Sequence, residues 1–179
     1  MKIKILGFIL ACSLLFIGSG IKFNSAKAAI IQETSEITEL KFKQRESMKD
    51  IAVIAGSLAD YVTDNGITPK QDGTYDENSK FYQALSPYYV RILPITDSWG
   101  NQFRVYCGEA CIGKYGISNA ASDDFVVVSY GRDGKKEDWK FDASNPSAGM
   151  YVPEAVKDYD KDLVIWNGSW IRAPMRRRR

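Results

Sequence analysis

Any chemistry in this chain would have to come from carboxylates and thiols. The 179 residues include no histidine, which excludes Ser-His-Asp and Cys-His nucleophile systems and histidine-bearing zinc sites. Acids occur in pairs and runs: Asp123-Asp124, Glu137-Asp138 and Asp142, then Asp158-Tyr159-Asp160-Lys161-Asp162. Two acids about 5–10 Å apart across a sugar-sized cleft would serve glycoside hydrolysis. A small exported hydrolytic or carbohydrate-binding domain is therefore one reading, and a solvated acidic surface is another. Tyr75, Tyr82, Tyr88 and Tyr89 suit stacking on sugars, although the last three also suit packing around a short helix. Cys107 and Cys111 are separated by Gly108-Glu109-Ala110. A bridge closing so small a ring would stabilise by about 2 kcal/mol; two free thiols in a turn is the alternative. A metal–thiolate centre would need a second cysteine pair.

The compartment decides between those cysteine readings. Lys2 and Lys4 precede an apolar run from Ile5 to Ile17, and Ala26-Lys27-Ala28 follows after the break at Gly18-Ser19-Gly20. This order predicts a signal peptide over 1–28 with cleavage after Ala28, because the run is short of the roughly 20 apolar residues that span a bilayer. Ile9-Leu10-Ala11-Cys12 resembles a lipobox and Gly7-Phe8 a prepilin cleavage pair; in either case the segment would anchor the chain at a membrane. Export to the periplasm or the exterior favours a Cys107–Cys111 bridge. The chain as a whole is at +2; residues 1–28 hold four lysines and no acid, and residues 176–179 are four arginines, so the body between them is at −6. An acidic body argues against nucleic-acid partners. The tail Arg176–Arg179 fits an acidic surface or anionic lipid, and as a frayed terminus it needs no function.

The elements that must position these groups follow from periodicity. Ile37, Leu40, Met48, Ile51, Ile54, Ala55, Leu58, Tyr61 and Val62 recur at three- and four-residue steps, predicting one amphipathic helix. Thr34 or Ser35 would cap its start, and Asn65-Gly66 with Pro69 would end it. A second short helix is expected over Ser79–Leu85. Strands are expected at Gln102–Cys107, with Phe103, Val105 and Cys107 on one face, at Phe125–Tyr130, and at Leu163–Trp166, extended by Trp170-Ile171 after the Asn167-Gly168 turn. Helix first and hairpin-linked strands afterwards indicate α+β. The stretch from Gly131 to Asp162 reads as a long irregular loop, and a loop of that length in a compact domain is usually functional or ordered by something external. Trp99, Trp166 and Trp170 read as core or sheet-edge aromatics, and Trp139 in the long loop as a contact residue.

Three stretches, in this order, resemble the major (G-type) pseudopilin of type II secretion systems. They are Met48-Lys49-Asp50-Ile51 to Leu58-Ala59-Asp60-Tyr61 with Asp64-Asn65-Gly66; Leu93-Pro94 with Asp97-Ser98-Trp99-Gly100-Asn101-Gln102-Phe103; and Phe125 to Ser129 with Gly131-Arg132-Asp133-Gly134. The likeness covers roughly residues 48–166. It implies a long helix packed on a small antiparallel sheet of about three strands, with a long loop between the last two. The globular domain would span 29–175.

The resemblance also implies a calcium ion in that loop, with Asp133, Asp160 and Asp162 as ligands and Asp158 as substitute. Calcium takes six to eight hard oxygen ligands, and acids from both ends of a loop would clamp it. The function expected is non-enzymatic: a structural or binding module of protein secretion that meets protein partners or itself through the helix or the long loop. Membrane contact is expected only if residues 1–28 are retained. The departure from the family is the N-terminus, where Cys12 stands in place of the glutamate near the start of the pseudopilin helix.

Overall fold

The computed structural model describes the backbone of residues 6–175 and the side chains of residues 32–175. The expected signal peptide lies outside the described side chains, and Arg176–Arg179 lie outside the described residues altogether. The chain divides into two compact units, Met1–Glu39 and Leu40–Arg179.

Helix α1 runs from Leu6 to Asn65. It therefore does not begin at Thr34 or Ser35. Exposed Ser and Thr can stay helical by bonding back one turn, as Thr38 does with its hydroxyl on the Thr34 carbonyl (2.8 Å). The other end matches its sequence signals: Gly66, at φ +74°, closes the helix by donating its N–H to the Val62 carbonyl (2.8 Å). Helix α2 is Lys80–Leu85, with Ser79 accepting the Tyr82 N–H at its start.

The fold class is α+β, as the order of elements indicates, but the sheet has six strands, in the order β1-β2-β3-β5-β6-β4. These are β1 Asp72–Thr74, β2 Arg104–Cys107, β3 Phe125–Ser129, β4 Met150–Tyr151, β5 Leu163–Trp166 and β6 Ser169–Pro174. All neighbours are antiparallel except β4 and β6. The three-strand expectation fails at the edges: strands of two or three residues, such as β1 and β4, are too short to show alternation. The β5–β6 hairpin turns at Asn167 and Gly168, with φ of +47° and +78°, the backbone a two-residue hairpin loop needs.

Both faces of the sheet are buried. Under α1, Ile51, Ile54, Ala55 and Leu58 pack against Phe103, Val105, Cys107, Phe125, Val127, Leu163 and Ile165. The face expected for Phe103, Val105 and Cys107 is the one that packs there. On the far face, Tyr106, Val126, Val128, Val164 and Ile171 are covered by Cys111, Tyr115 and Ile117, with Trp139 and Phe141 packed against them. The stretch 131–162 is thus part of a second cover, not an open loop between the last two strands. It joins β3 to β5, contains β4 and two 3-10 turns, and is followed by both β5 and β6.

Candidate functional site

The three motif stretches meet at one junction. Ser47, next to the first stretch and fully buried on α1, accepts the Ser98 N–H on its hydroxyl oxygen (3.0 Å). Asp97 is 5% exposed and accepts three hydrogen bonds: Oδ1 from the N–H groups of Trp99 (3.0 Å) and Asn101 (2.8 Å), Oδ2 from the Ser129 hydroxyl (2.7 Å). Burial nevertheless holds the Asp97 carboxyl above the ordinary range, outweighing these donors. Asn101 donates to the Gly131 carbonyl (2.8 Å). The glycines of this junction are obligatory. A Cβ on Gly131, at φ +64°, would lie 2.7 Å from the Lys161 carbonyl oxygen, and one on Gly134, at φ +67°, 2.6 Å from the Asn101 side chain.

The two ends of the 131–162 stretch also meet, and salt bridges join them. The Arg132 N–H donates to the Tyr159 carbonyl (2.8 Å). Its guanidinium holds Asp160 through two bonds, Nε to Oδ1 (2.7 Å) and Nη2 to Oδ2 (3.2 Å). Asp133 is exposed and accepts the Lys135 N–H (3.0 Å). Asp158 is occupied by Lys161 (2.8 Å) and by the N–H groups of Glu154 and Ala155. The Lys161 bond, then those of Ala155 and Glu154, lower its pKa to about 2.

Asp162 differs from the other three. It is fully buried; Oδ2 accepts from the Tyr115 hydroxyl (2.5 Å) and the Glu137 N–H (3.1 Å), while Oδ1 is buried without a hydrogen-bond partner. Burial pushes its carboxyl up to about 6, against the pull of those two donors. Of the expected ligands, then, Asp162 alone keeps a buried free oxygen, and Asp160 already faces a cation in Arg132. The described residues include no group of three or more acids or cysteines placed to hold a metal. The set fits calcium only in part: the orphaned oxygen suits a cation, whereas the Arg132–Asp160 pair already supplies positive charge at the loop ends.

A buried charged network beside Asp162 has no counterpart in the sequence reading. Arg172, on β6, grips Glu137 through two bonds (2.9 and 2.5 Å) and donates to the Gly149 carbonyl (3.1 Å). Its guanidinium lies 5.3 Å from the Trp139 ring centre and 4.9 Å from that of Tyr151, within cation–π range. Tyr151 in turn accepts the Gln44 side-chain N–H from α1 (3.1 Å). Trp139, expected as a contact residue, is thus packed inside this cover. The one available signal was a lone arginine in the apolar Trp170–Ala173 strand.

The remaining candidates are dispersed. Asp124 accepts from the Ala121 N–H (2.9 Å) and the Asn167 side chain (2.5 Å), and Asp142 from Ser144 through its N–H (2.9 Å) and hydroxyl (2.6 Å). With Glu137 held by Arg172, these three acids have structural partners. Tyr75 is buried against Phe81, whereas Tyr88 is 91% exposed, so Tyr88 does not pack around α2. Cys107 and Cys111 are both buried and present as thiols; Cys111 contacts the Tyr106 carbonyl through its sulfur (3.3 Å). Burial, with the partner thiol for Cys107 and Asp124 for Cys111, pushes both up to about 12. No protein-family model matches the chain, and no curated protein or solved structure shows significant similarity to it.

Proposed function

We propose that the chain is a non-enzymatic, exported module of the pseudopilin type that acts in protein secretion through its surfaces. The observation carrying this reading is the junction of Ser47, Asp97, Asn101, Ser129 and Gly131. The second and third of the stretches similar to one family, about 30 residues apart, bond directly to each other, and Ser47 beside the first bonds to the second. A shared framework gives a physical reason for such motifs to occur together. Calcium belongs to the proposal: Asp162 offers the buried free oxygen, Asp133 an exposed carboxylate, and Asp160 joins them if it exchanges Arg132 for the ion.

The test is thermal unfolding in chelator against millimolar calcium, for the wild type, Asp133→Ala and Asp162→Asn. Binding to the folded state alone at a hundredfold excess over Kd stabilises by about 2.7 kcal/mol. The proposal expects that rise in the wild type and its loss in both variants. No rise in the wild type removes calcium and leaves Arg132–Asp160 as the clamp.

A second reading is a membrane-anchored subunit that keeps its N-terminal apolar segment. The continuity of α1 from Leu6 through Asn65 favours it, although no helix among the described residues is long and apolar enough to cross a membrane. The intact mass of the exported protein separates the two. A start at Ala29 supports the cleaved module; retention of residues 1–28, or lipid on Cys12, supports the anchor.

A further inference from the structure

A groove of about 920 Å³ runs between α1 and the strand ends opposite it, with Lys41, Arg45 and Met48 on one wall and Val152, Pro153 and Met175 on the other. Its floor is apolar and adaptable; methionine side chains re-pack around varied ligands at little cost. Lys41 and Arg45 stand one helical turn apart, are exposed, and make no ion pair among the described residues. Glu154 also borders the groove, so its lining carries two cationic side chains and one carboxylate. The body of the protein is acidic, which makes this a local positive site on a negative surface.

We propose that this groove binds an acidic peptide segment with interspersed apolar side chains, presented by a protein partner. The inference rests on the reading of the chain as a binding module and specifies what it binds. Charge complementarity selects the acidic residues and guides encounter; Met48, Val152 and Met175 in the lining select the apolar ones. Nucleic acid would meet the wrong field over most of the surface, and this floor offers no aromatic ring for base stacking.

The experiment is fluorescence anisotropy on the full chain with three labelled peptides: alternating glutamate and leucine, alternating glutamate and serine, and alternating lysine and leucine. The glutamate–leucine peptide should bind best. The serine analogue should bind about tenfold more weakly, since burying one leucine is worth that much or more. Raising salt from about 50 to about 300 mM should weaken binding several-fold. The lysine analogue should not bind. Lys41→Glu with Arg45→Glu should cost about tenfold at an unchanged melting temperature, and Lys41→Gln with Arg45→Gln less.

Equal binding of the two acidic peptides would overturn the proposal, as would indifference to the paired substitutions. Preferential binding to phosphatidylserine vesicles would reassign the site to lipid. Dimerisation lost in the same double variant, without peptide binding, would reassign it to a second copy. Failure of these arms, with the calcium and intact-mass results as expected, rejects the groove's ligand while leaving the module reading standing.

Discussion

The sheet face under α1 and the face under the 131–162 stretch bury similar strand residues but are closed by different interactions. Under α1 the cover is a regular helix, and its contacts are almost wholly apolar: Ile51, Ile54 and Leu58 are fully buried. On the far side, loops without repeating backbone bonds do the covering, and Arg172, Glu137, Asp162 and Tyr115 hold them. A helix satisfies its own backbone and needs only a stripe to dock. An irregular cover must find partners for its polar groups one at a time, and side-chain charges supply them.

The largest effect should come from breaking the helix side. Phe103 is fully buried there, and Phe103→Ala should cost about 3–5 kcal/mol, read as a fall in denaturant midpoint. A loss under about 1 kcal/mol would mean that α1 is not the main cover.

The loop side should break through its charge pair. Arg172→Ala strands Glu137, whose side chain is 28% exposed, so the cost should sit near the low end for a buried pair, about 3 kcal/mol. Arg172→Met combined with Glu137→Leu should regain most of that in urea unfolding. If the double variant is as unstable as the single, shape and not charge closes this face.

The junction between the faces should respond to pH. Asp97 is raised above its unfolded value of 3.8. A raised carboxyl contributes stability that is complete below the unfolded value and is lost as pH rises through the folded one. Asp97→Asn should cost about 1 kcal/mol through its altered hydrogen bonds. The gap between wild type and variant should be widest near about pH 3.5 and narrow toward neutrality. A gap that widens with pH would reverse the assignment.

The thiols give a kinetic contrast. With both held at about 12, alkylation of the reduced folded protein at mild alkaline pH should be far slower than that of the unfolded chain. Labelling of the unreduced protein tests the proposed Cys107–Cys111 bridge: finding neither thiol free supports it, and labelling of both rejects it. The smallest effect belongs to a residue that touches neither face. Tyr88 is 91% exposed, and Tyr88→Ser should stay within about 0.5 kcal/mol.

What was legible in the sequence was whatever repeats. The apolar stripe of α1, the alternation of Phe103, Val105 and Cys107, the Asn167-Gly168 turn and the Gly66 exit all follow from local backbone geometry, and each stands where its pattern put it. The N-terminal limit of α1 is not legible locally: Thr34 and Ser35 signal a cap wherever they occur, and local pattern does not tell whether the chain upstream is already helical. Strands β1 and β4 are not legible either, because two or three residues have no period.

The candidate site divides in the same way. That the two ends of 131–162 come close was readable from the strands that bracket them. That Asp160 faces Arg132, that Asp162 is buried with one oxygen unpaired, and that Arg172 lies among Tyr151 and Trp139 depends on contacts between residues far apart in the chain. Residue type and spacing determine which groups are able to carry charge or bury apolar surface. Which charge meets which partner, and how much water is left beside it, is a property of packing between distant segments, and only the tertiary structure decides it.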